Sequence, residues 1–448
     1  MQSRWGTPIP APMWQSLINF HKRMMRAPAH VGDAKATPEQ DLAIAIGTRE
    51  LVLIIAGLWA LNAFAIDMML PALGVISTDL GAQNANDRQL MIVVYLIFNG
   101  FAQIIFGPVV DRFGRRSVLL WALVAYVIAS LFSVLAPTFG FMLAARAMQG
   151  VTTAATRVAA LALIRDRFAG RSMAQVMSLI MTIFMAAPII APAIGQVILV
   201  AGSWRWIFAA LLLYGAVLGG FVFFRIAETM PREAAKPLKM KTIIGNYLFF
   251  FSNRISLGYT FGNAFVFASL FAYISASEQI FLETFELGNL FAVAFAFVAL
   301  PLGVATITNA RLVKSFGMRR LSHGALIVFV LSALAHWGVN ALGHENIYTF
   351  LALMAVSFFS LGLIGPNYTA IAMEPMGHIA GSAGAANGFV STALSGLIGG
   401  AIARGYDGTV GPILTGMVAL SAASLILTLI TERGRLFEPI ARIKPATP

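Results

Sequence analysis

Residues 90–136 read LMIVVYLIFNGFAQIIFGPVVDRFGRRSVLLWALVAYVIASLFSVLA, two apolar runs joined by the charged string Asp111-Arg112-Phe113-Gly114-Arg115-Arg116. A helix needs roughly 20 residues to cross a hydrocarbon core of about 30 Å, and each run has that length. Both runs are continuous rather than alternating, which favours spanning helices over spanning strands. The string between them must reverse the chain within a few residues. Gly114 permits the backbone such a turn needs, while Asp111 can pair with the arginines or with a positive helix end.

The same pattern continues along the chain. Apolar runs predict twelve helices, near 50–72, 89–110, 117–136, 139–164, 173–201, 204–226, 254–276, 283–309, 321–342, 347–373, 383–404 and 409–431. Of the 448 residues 58% are hydrophobic and only 11% charged, with a mean hydropathy of +0.80. A soluble chain carries about a quarter charged residues, so the surface of this one must face lipid. A net charge of +12 would raise nucleic acid as a partner in a soluble protein. Here the basic residues sit in short loops between apolar runs, where the positive-inside rule accounts for them, and no nucleic-acid partner is expected. With residue 50 starting on the cytoplasmic side, only Arg88, Arg205 and Arg404 fall in loops of the opposite side, so both termini are expected in the cytoplasm.

There are no cysteines, which excludes disulfides and thiolate chemistry. No His, Asp or Glu cluster has metal-ligand spacing and no phosphate-binding glycine loop is present, so no cofactor and no direct use of ATP is expected. Residues 1–48 lack the apolar core of a cleaved leader and read as a disordered cytoplasmic tail, with Trp14, Leu17, Ile18 and Met24 at helical spacing suited to a membrane surface.

The string at 111–116 has an echo in Lys314-Ser-Phe-Gly317-Met-Arg319-Arg320. Placing Gly114 on Gly317 gives an offset of 203, and the same offset carries Leu51 onto Arg254, the start of the seventh run. The chain thus divides into a six-helix half at 49–226, a cytoplasmic linker at 227–253 that is polar over 227–246, a second six-helix half at 254–431 and a tail at 432–448.

Polar residues inside the runs are few. Asp67 is the one acid placed well within a run, where a charged carboxylate costs several kcal/mol unless it is paired, protonated or hydrated; this makes it the candidate proton carrier. The competing reading is an aspartate at the lipid–water boundary, since Pro71 lies four residues on. Arg146 falls at a similar depth, roughly 10 Å in at 1.5 Å per residue, within direct or water-bridged reach of Asp67. Arg157 is eleven residues further, close to three helical turns, so Arg146, Gln149, Thr153 and Arg157 share a face that should line a cavity. A structural clamp between helices explains Arg157 equally well. Trp59, Tyr95, Gln103, Met181, Phe267, Phe271 and Asn367 are candidates to line a pocket for flat, partly apolar molecules, although most such residues in a membrane protein simply pack or face lipid. His336 is the one histidine expected inside a helix.

Gly107-Pro-Val-Val-Asp111-Arg112-Phe-Gly114-Arg115-Arg116 matches the G-x-x-x-D-R-x-G-R-R signature of the major facilitator superfamily at each fixed position, and the chain resembles that family. Asp67-Met-Met-Leu-Pro71, Gln103, Arg165-Asp166, Ala187-Pro188-Ile-Ile-Ala191-Pro192-Ala-Ile-Gly195, Gly365-Pro366-Asn367 and Ala380-Gly-Ser-Ala-Gly-Ala-Ala-Asn387 narrow the likeness to the Bcr/CflA drug-resistance transporters, over residues from about 50 to 430. The resemblance implies a gate at Gly107, Asp111, Arg112, Gly114, Arg115 and Arg116, an antiporter-type kink at Pro188, Pro192 and Gly195, and proton coupling through Asp67 and Arg146. Two features depart from the family pattern. Leu161 stands where members carry an arginine, and Ala187, Ala191 and Gln196 replace glycines.

The resulting expectation is an all-α membrane protein of the major facilitator fold that is not an enzyme. It would sit as a monomer in a bacterial inner membrane, in contact with lipid, and exchange protons for a small drug-like substrate. Transport of a native metabolite is the alternative. Paired intramembrane carboxylates that would suggest a membrane enzyme are missing from the sequence.

Overall fold

The computed structural model describes residues 47–168, 170–230 and 240–438, and every regular element among them is helical. The disordered tail expected over 1–48 falls, apart from its last two residues, outside the described residues, as do Pro231 to Lys239 of the linker and the end of the tail expected at 432–448. In chain order α1 is Thr48–Asp67, α2 Leu90–Phe113, α3 Arg115–Val134, α4 Phe139–Arg167, α5 Gly170–Ala201 and α6 Arg205–Arg225. A linker helix, Met240–Ser252, precedes α7 Arg254–Gln279, α8 Phe291–Phe316, α9 Met318–Ala341 and α10 Ile347–Met373. Ala380–Phe389 and Ser395–Ala403, joined by a π turn at Val390–Leu394, make α11, and Gly411–Thr431 is α12.

Eleven helical stretches are long and apolar enough to cross a bilayer. The longest, Ile347–Ala403, has 57 residues and reverses at the 3-10 turn Glu374–Ile379, so the described residues make twelve crossings. Local chemistry sets several starts. Thr138, Asn253 and Asn346 accept the first free amides of α4, α7 and α10 through their side-chain oxygens. Gly114 and Gly317 end α2 and α8 at φ 93° and 79°, a conformation that a Cβ would strain.

Helix neighbours repeat from one half to the other. In the first half α2 and α3 pack on α4, α3 on α6 and α1 on α5; in the second, α8 and α9 pack on α10, α9 on α12 and α7 on α11. Across the middle α2 meets α11 and α5 meets α8, the exchange a pseudo-two-fold produces. Large apolar residues such as Trp121, Val197, Leu213 and Phe224 stay exposed on the outer faces, where lipid covers them.

Within the linker expected at 227–253 a helix forms, and its Tyr247 and Phe250 turn inward, Phe250 packing with Met376, Ala383 and Ala386. Three sequence expectations change. The first run does not stop at 72: Pro71 starts a 3-10 turn, where a missing amide costs nothing, and helix resumes over Leu73–Asp79. Asp67 therefore lies twelve residues from the end of that run, about 18 Å at 1.5 Å per residue, rather than near its rim. Helix α7 also outruns its expected end, which puts a second acid, Glu278, inside a span, and His323 joins His336 as a helical, buried histidine.

Candidate functional site

Between the halves lies a cavity of about 730 Å³. Its walls come from α2 (Gln103, Gly107, Asp111), α4 (Arg157, Leu161, Arg165), the linker helix (Thr242, Ile243, Asn246) and the adjoining ends of α10 and α11 (Met373, Ser382, Asn387). All of these lie toward the face that carries the linker helix and the turns at Gly114 and Gly317, the linker face. Asn246 donates to Ser382 Oγ at 3.2 Å and Tyr247 donates to the Ile104 carbonyl at 2.8 Å, so the linker helix touches both halves beside the cavity. Burial pushes the Tyr247 phenol up to about 12, leaving it a donor through the physiological range.

The opposite face is closed by contacts between the halves. Arg88 pairs with Glu278 at 2.7 Å and Glu283 at 2.8 Å, and the Gly74 amide donates to Glu278 at 2.9 Å. Gln89 donates to Gln279 at 2.7 Å and to the Ala403 carbonyl at 2.8 Å, while Arg404 pairs with Asp87 at 2.7 Å. A buried ion pair repays its desolvation only when further hydrogen bonds satisfy its atoms, and Glu278 has them.

Asp67 and Arg146, the expected proton-site pair, make no direct hydrogen bond or ion pair with each other. Asp67 is 4% exposed and makes no hydrogen bond or ion pair with a described residue; the Tyr273 hydroxyl of α7 is likewise buried without a partner among the described residues. Arg146 is fully buried and committed elsewhere: Nε donates to the Met91 carbonyl at 3.1 Å, Nη1 to Gln149 at 2.6 Å, and the guanidinium lies 4.5 Å from the Tyr95 ring centre. Arg146 thus ties α4 to α2, with Nη2 left without a partner among the described residues.

Of the proposed cavity residues, Gln103 and Arg157 line it. Arg157 is exposed to the cavity, its guanidinium 5.4 Å from the centre of the buried Trp59 ring. Tyr95 and Gln149 are fully buried, Asn367 is held by donating to Asn309 at 2.6 Å, and Met181, Phe267 and Phe271 are half-buried away from the lining. Periodicity placed these residues in spans but could not say which face of each helix turns inward.

In the loop string, Gly107 and Asp111 line the cavity, Arg112 is exposed, and Arg115 pairs with Asp166 at 2.8 Å and Asp111 at 3.4 Å. Arg116 donates to the Phe223 carbonyl at 2.9 Å. Glu228 completes this corner: its carboxylate accepts the Arg115 amide at 2.8 Å and the Arg116 amide at 3.1 Å, the free donors at the start of α3. Asp111 and the start of α11 at Gly381–Ala385 share the cavity wall, with no hydrogen bond between them here.

The matching corner of the second half is built otherwise. Arg319 pairs with Glu432 at 3.0 Å and Glu374 at 3.2 Å, Tyr259 donates to Glu432 at 2.6 Å and meets His323 Nε2 at 2.8 Å, and the Phe437 amide donates to His323 Nδ1 at 3.1 Å. Lys314 stands at the position of Asp111.

Within α5, helix continues through Pro188 and Pro192, and Gly195 presses on α1 so closely that a Cβ would sit 1.8 Å from the Met68 carbonyl oxygen. The backbone of α1 next to Asp67 is therefore fixed by a residue of the expected antiporter string.

The sequence profile of the Major Facilitator Superfamily matches residues 55–403. The chain belongs to the major facilitator superfamily. This transporter is 30% identical over 355 residues to the uncharacterized MFS-type transporter YdgK of Bacillus subtilis, covering 78% of the chain and 87% of the relative. It is 28% identical to the bicyclomycin resistance protein homolog of Haemophilus influenzae, over 84% of the chain and 94% of that protein. Multidrug resistance protein D of Escherichia coli is 27% identical over 87% of the chain and 98% of its own length. Among solved structures, the partially occluded inward-open xylose transporter XylE of E. coli superposes with a TM-score of 0.67 at 13% identity, over 86% of this chain and 97% of the other, a likeness of fold.

Three groups of the transporter's site escaped sequence reading. Glu228 lies 114 residues beyond the turn it caps, so no local pattern links them. Glu278 sat past the expected helix end. Asn62 and Asn99 join Tyr95, Thr153 and Gln103 in a polar chain that reaches Thr392 of the second half at 3.2 Å; asparagines at 62 and 99 within apolar runs were the available signal.

Proposed function

We propose that this transporter exports small, partly apolar compounds in exchange for protons, alternating between inward-open and outward-open states. The linker face is the cytoplasmic one, and the arrangement described is inward-facing. One observation carries the reading: the cavity lies at the linker face while buried ion pairs between the halves hold the opposite face shut. Opening outward requires Arg88 and Glu278 to part and the α2–α11 side to close, bringing Asp111 to the free amides at the start of α11.

Proton coupling is assigned to Asp67, a buried acid with no hydrogen-bond or ion-pair partner among the described residues. Arg146 keeps α2 and α4 together behind it. Relatives named for bicyclomycin and multidrug resistance support drug efflux, and both are bacterial, which supports an inner-membrane location.

The test is a susceptibility panel in an efflux-deficient bacterium expressing the chain, followed by proton flux in vesicles. Parent protein should raise resistance to at least one drug and acidify the vesicle lumen's counter-side on drug addition, and Asp67→Asn should abolish gradient-driven export while still binding drug. Normal gradient-driven export by Asp67→Asn would place the proton elsewhere; no resistance to any drug would favour a native metabolite.

A further inference from the structure

The cavity has an unbalanced charge. Its charged lining is Arg157 and Arg165 from α4 and Asp111 from α2. Asp111 stands toward the linker face 3.4 Å from Arg115, which it shares with Asp166, so the cavity holds two arginines against one acid that is already partly answered. Elsewhere among the described residues Arg88 is answered by Glu278, Arg115 by Asp166 and Arg319 by Glu432, while Arg146 donates to a carbonyl and an amide oxygen. Arg157, which lines the cavity with Arg165, is different. It presents its guanidinium to the cavity, rests on the Trp59 ring, and has no carboxylate or hydrogen-bond partner among the described residues.

A guanidinium carries five donors in a planar fork suited to two oxygens at once. Placed deep in a membrane protein without a counter-charge, it is costly unless water or a ligand occupies those donors. Asn387 lines the same cavity, and its oxygen accepts from Thr260 Oγ1 at 2.9 Å, which leaves its NH₂ to donate. Acceptor oxygens are what this wall asks for. A permanent cation would meet two lining arginines against one acid, Asp111, which already stands beside Arg115.

We propose that the cavity's substrates are organic anions, or molecules presenting a carboxylate-like pair of oxygens, bound by Arg157 with Asn387, and that permanent organic cations are excluded. This rests on the exporter reading for the direction of transport but not for binding. A volume of about 730 Å³ fits a single drug-sized molecule. Val158, Leu161 and Ile243 supply apolar wall for its body. Exchange of a monoanion for protons would carry one more charge across the membrane than exchange of a neutral molecule, so an inside-negative potential alone should drive its export.

Three matched probes test this on full-length protein in nanodiscs: 2-naphthoate, the neutral 2-naphthamide and trimethyl-2-naphthylammonium, with equilibrium binding read calorimetrically. Naphthoate should bind at least tenfold tighter than the ammonium. Arg157→Gln should weaken naphthoate by roughly ten- to hundredfold, the range for a charge-assisted hydrogen bond, and leave naphthamide within about threefold, which also shows that the variant is folded. Arg157→Lys should keep the preference for the anion at reduced strength. A flat or inverted ranking in the parent, no naphthoate binding at millimolar concentration, or an unchanged naphthoate affinity in Arg157→Gln would overturn the proposal. Failure of the exporter reading looks different: the binding order holds while none of the probes moves in response to a proton gradient or potential.

Discussion

The two corners of the linker face start from the same piece of sequence and end as different devices. At Gly114 the first-half corner holds α3 by a carboxylate on its amides, and its guanidinium at Arg115 is shared between Asp166 and an aspartate that faces the cavity. At Gly317 the second-half corner closes Arg319, Glu374, Glu432, Tyr259 and His323 into a ring, with the chain after α12 laid over it. Asp111 is half-exposed at 45% of its side chain, whereas Arg319 and Glu432 are at 8% and 10%. The lesson is that a repeat preserves the turn and diverges in what the turn grips. One corner keeps an acid free to change partner; the other has used its charges to stay put.

Arg319→Ala should show the largest effect. It strands Glu432 without its partner, and breaking a buried pair in this way costs about 3–5 kcal/mol, so the thermal melt of the detergent-purified protein should fall by many degrees. A melt within a degree of the parent would mean that the second corner is no brace. Asp111→Asn should do the reverse, with a melt close to the parent and vesicle transport down at least tenfold, or about 1.4 kcal/mol on the slow step. Unchanged transport would remove the distinction between the corners.

Glu228→Gln tests whether the first corner also has a fixed part. Its amide oxygen still accepts from Arg115 and Arg116 but without charge, so a loss of about 1 kcal/mol in stability is expected, together with a modest fall in transport. The smallest effect belongs to a chain ended after Leu436, which removes the Phe437 amide from His323 and should cost under about 1 kcal/mol with transport retained. A large drop there would make the terminal segment a structural element of the second corner.

What the sequence disclosed followed from what it repeats. Apolar run length located the crossings, Gly114 and Gly317 located the turns, and an acid in an apolar run singled out Asp67, which burial now separates from the rim. Relations across the fold were not legible. Counting along the runs puts Arg146 and Asp67 at one depth, yet the first run extends to Asp79 and Arg146 is held by Met91 and Gln149, because the sequence shows neither where a helix resumes after a turn nor how each helix is rotated. The linker helix was hidden for a different reason: thirteen residues are too few to cross a bilayer, and an amphipathic segment beside charged neighbours reads as loop.

That linker helix would let the two halves recognise each other as separate polypeptides. A gene split between Met230 and Met240 would leave the helix on the second product, where Asn246 stays bonded to its own α11 and Tyr247 still offers its phenol to the Ile104 carbonyl of the first. A split after Ser252 would hand the same helix to the first product, which would then carry Phe250 as a plug for the pocket formed by Met376, Ala383 and Ala386. Either way the fragment holding the helix bears a docking key for the other, so complementation from two genes depends on which side of the cut those thirteen residues fall.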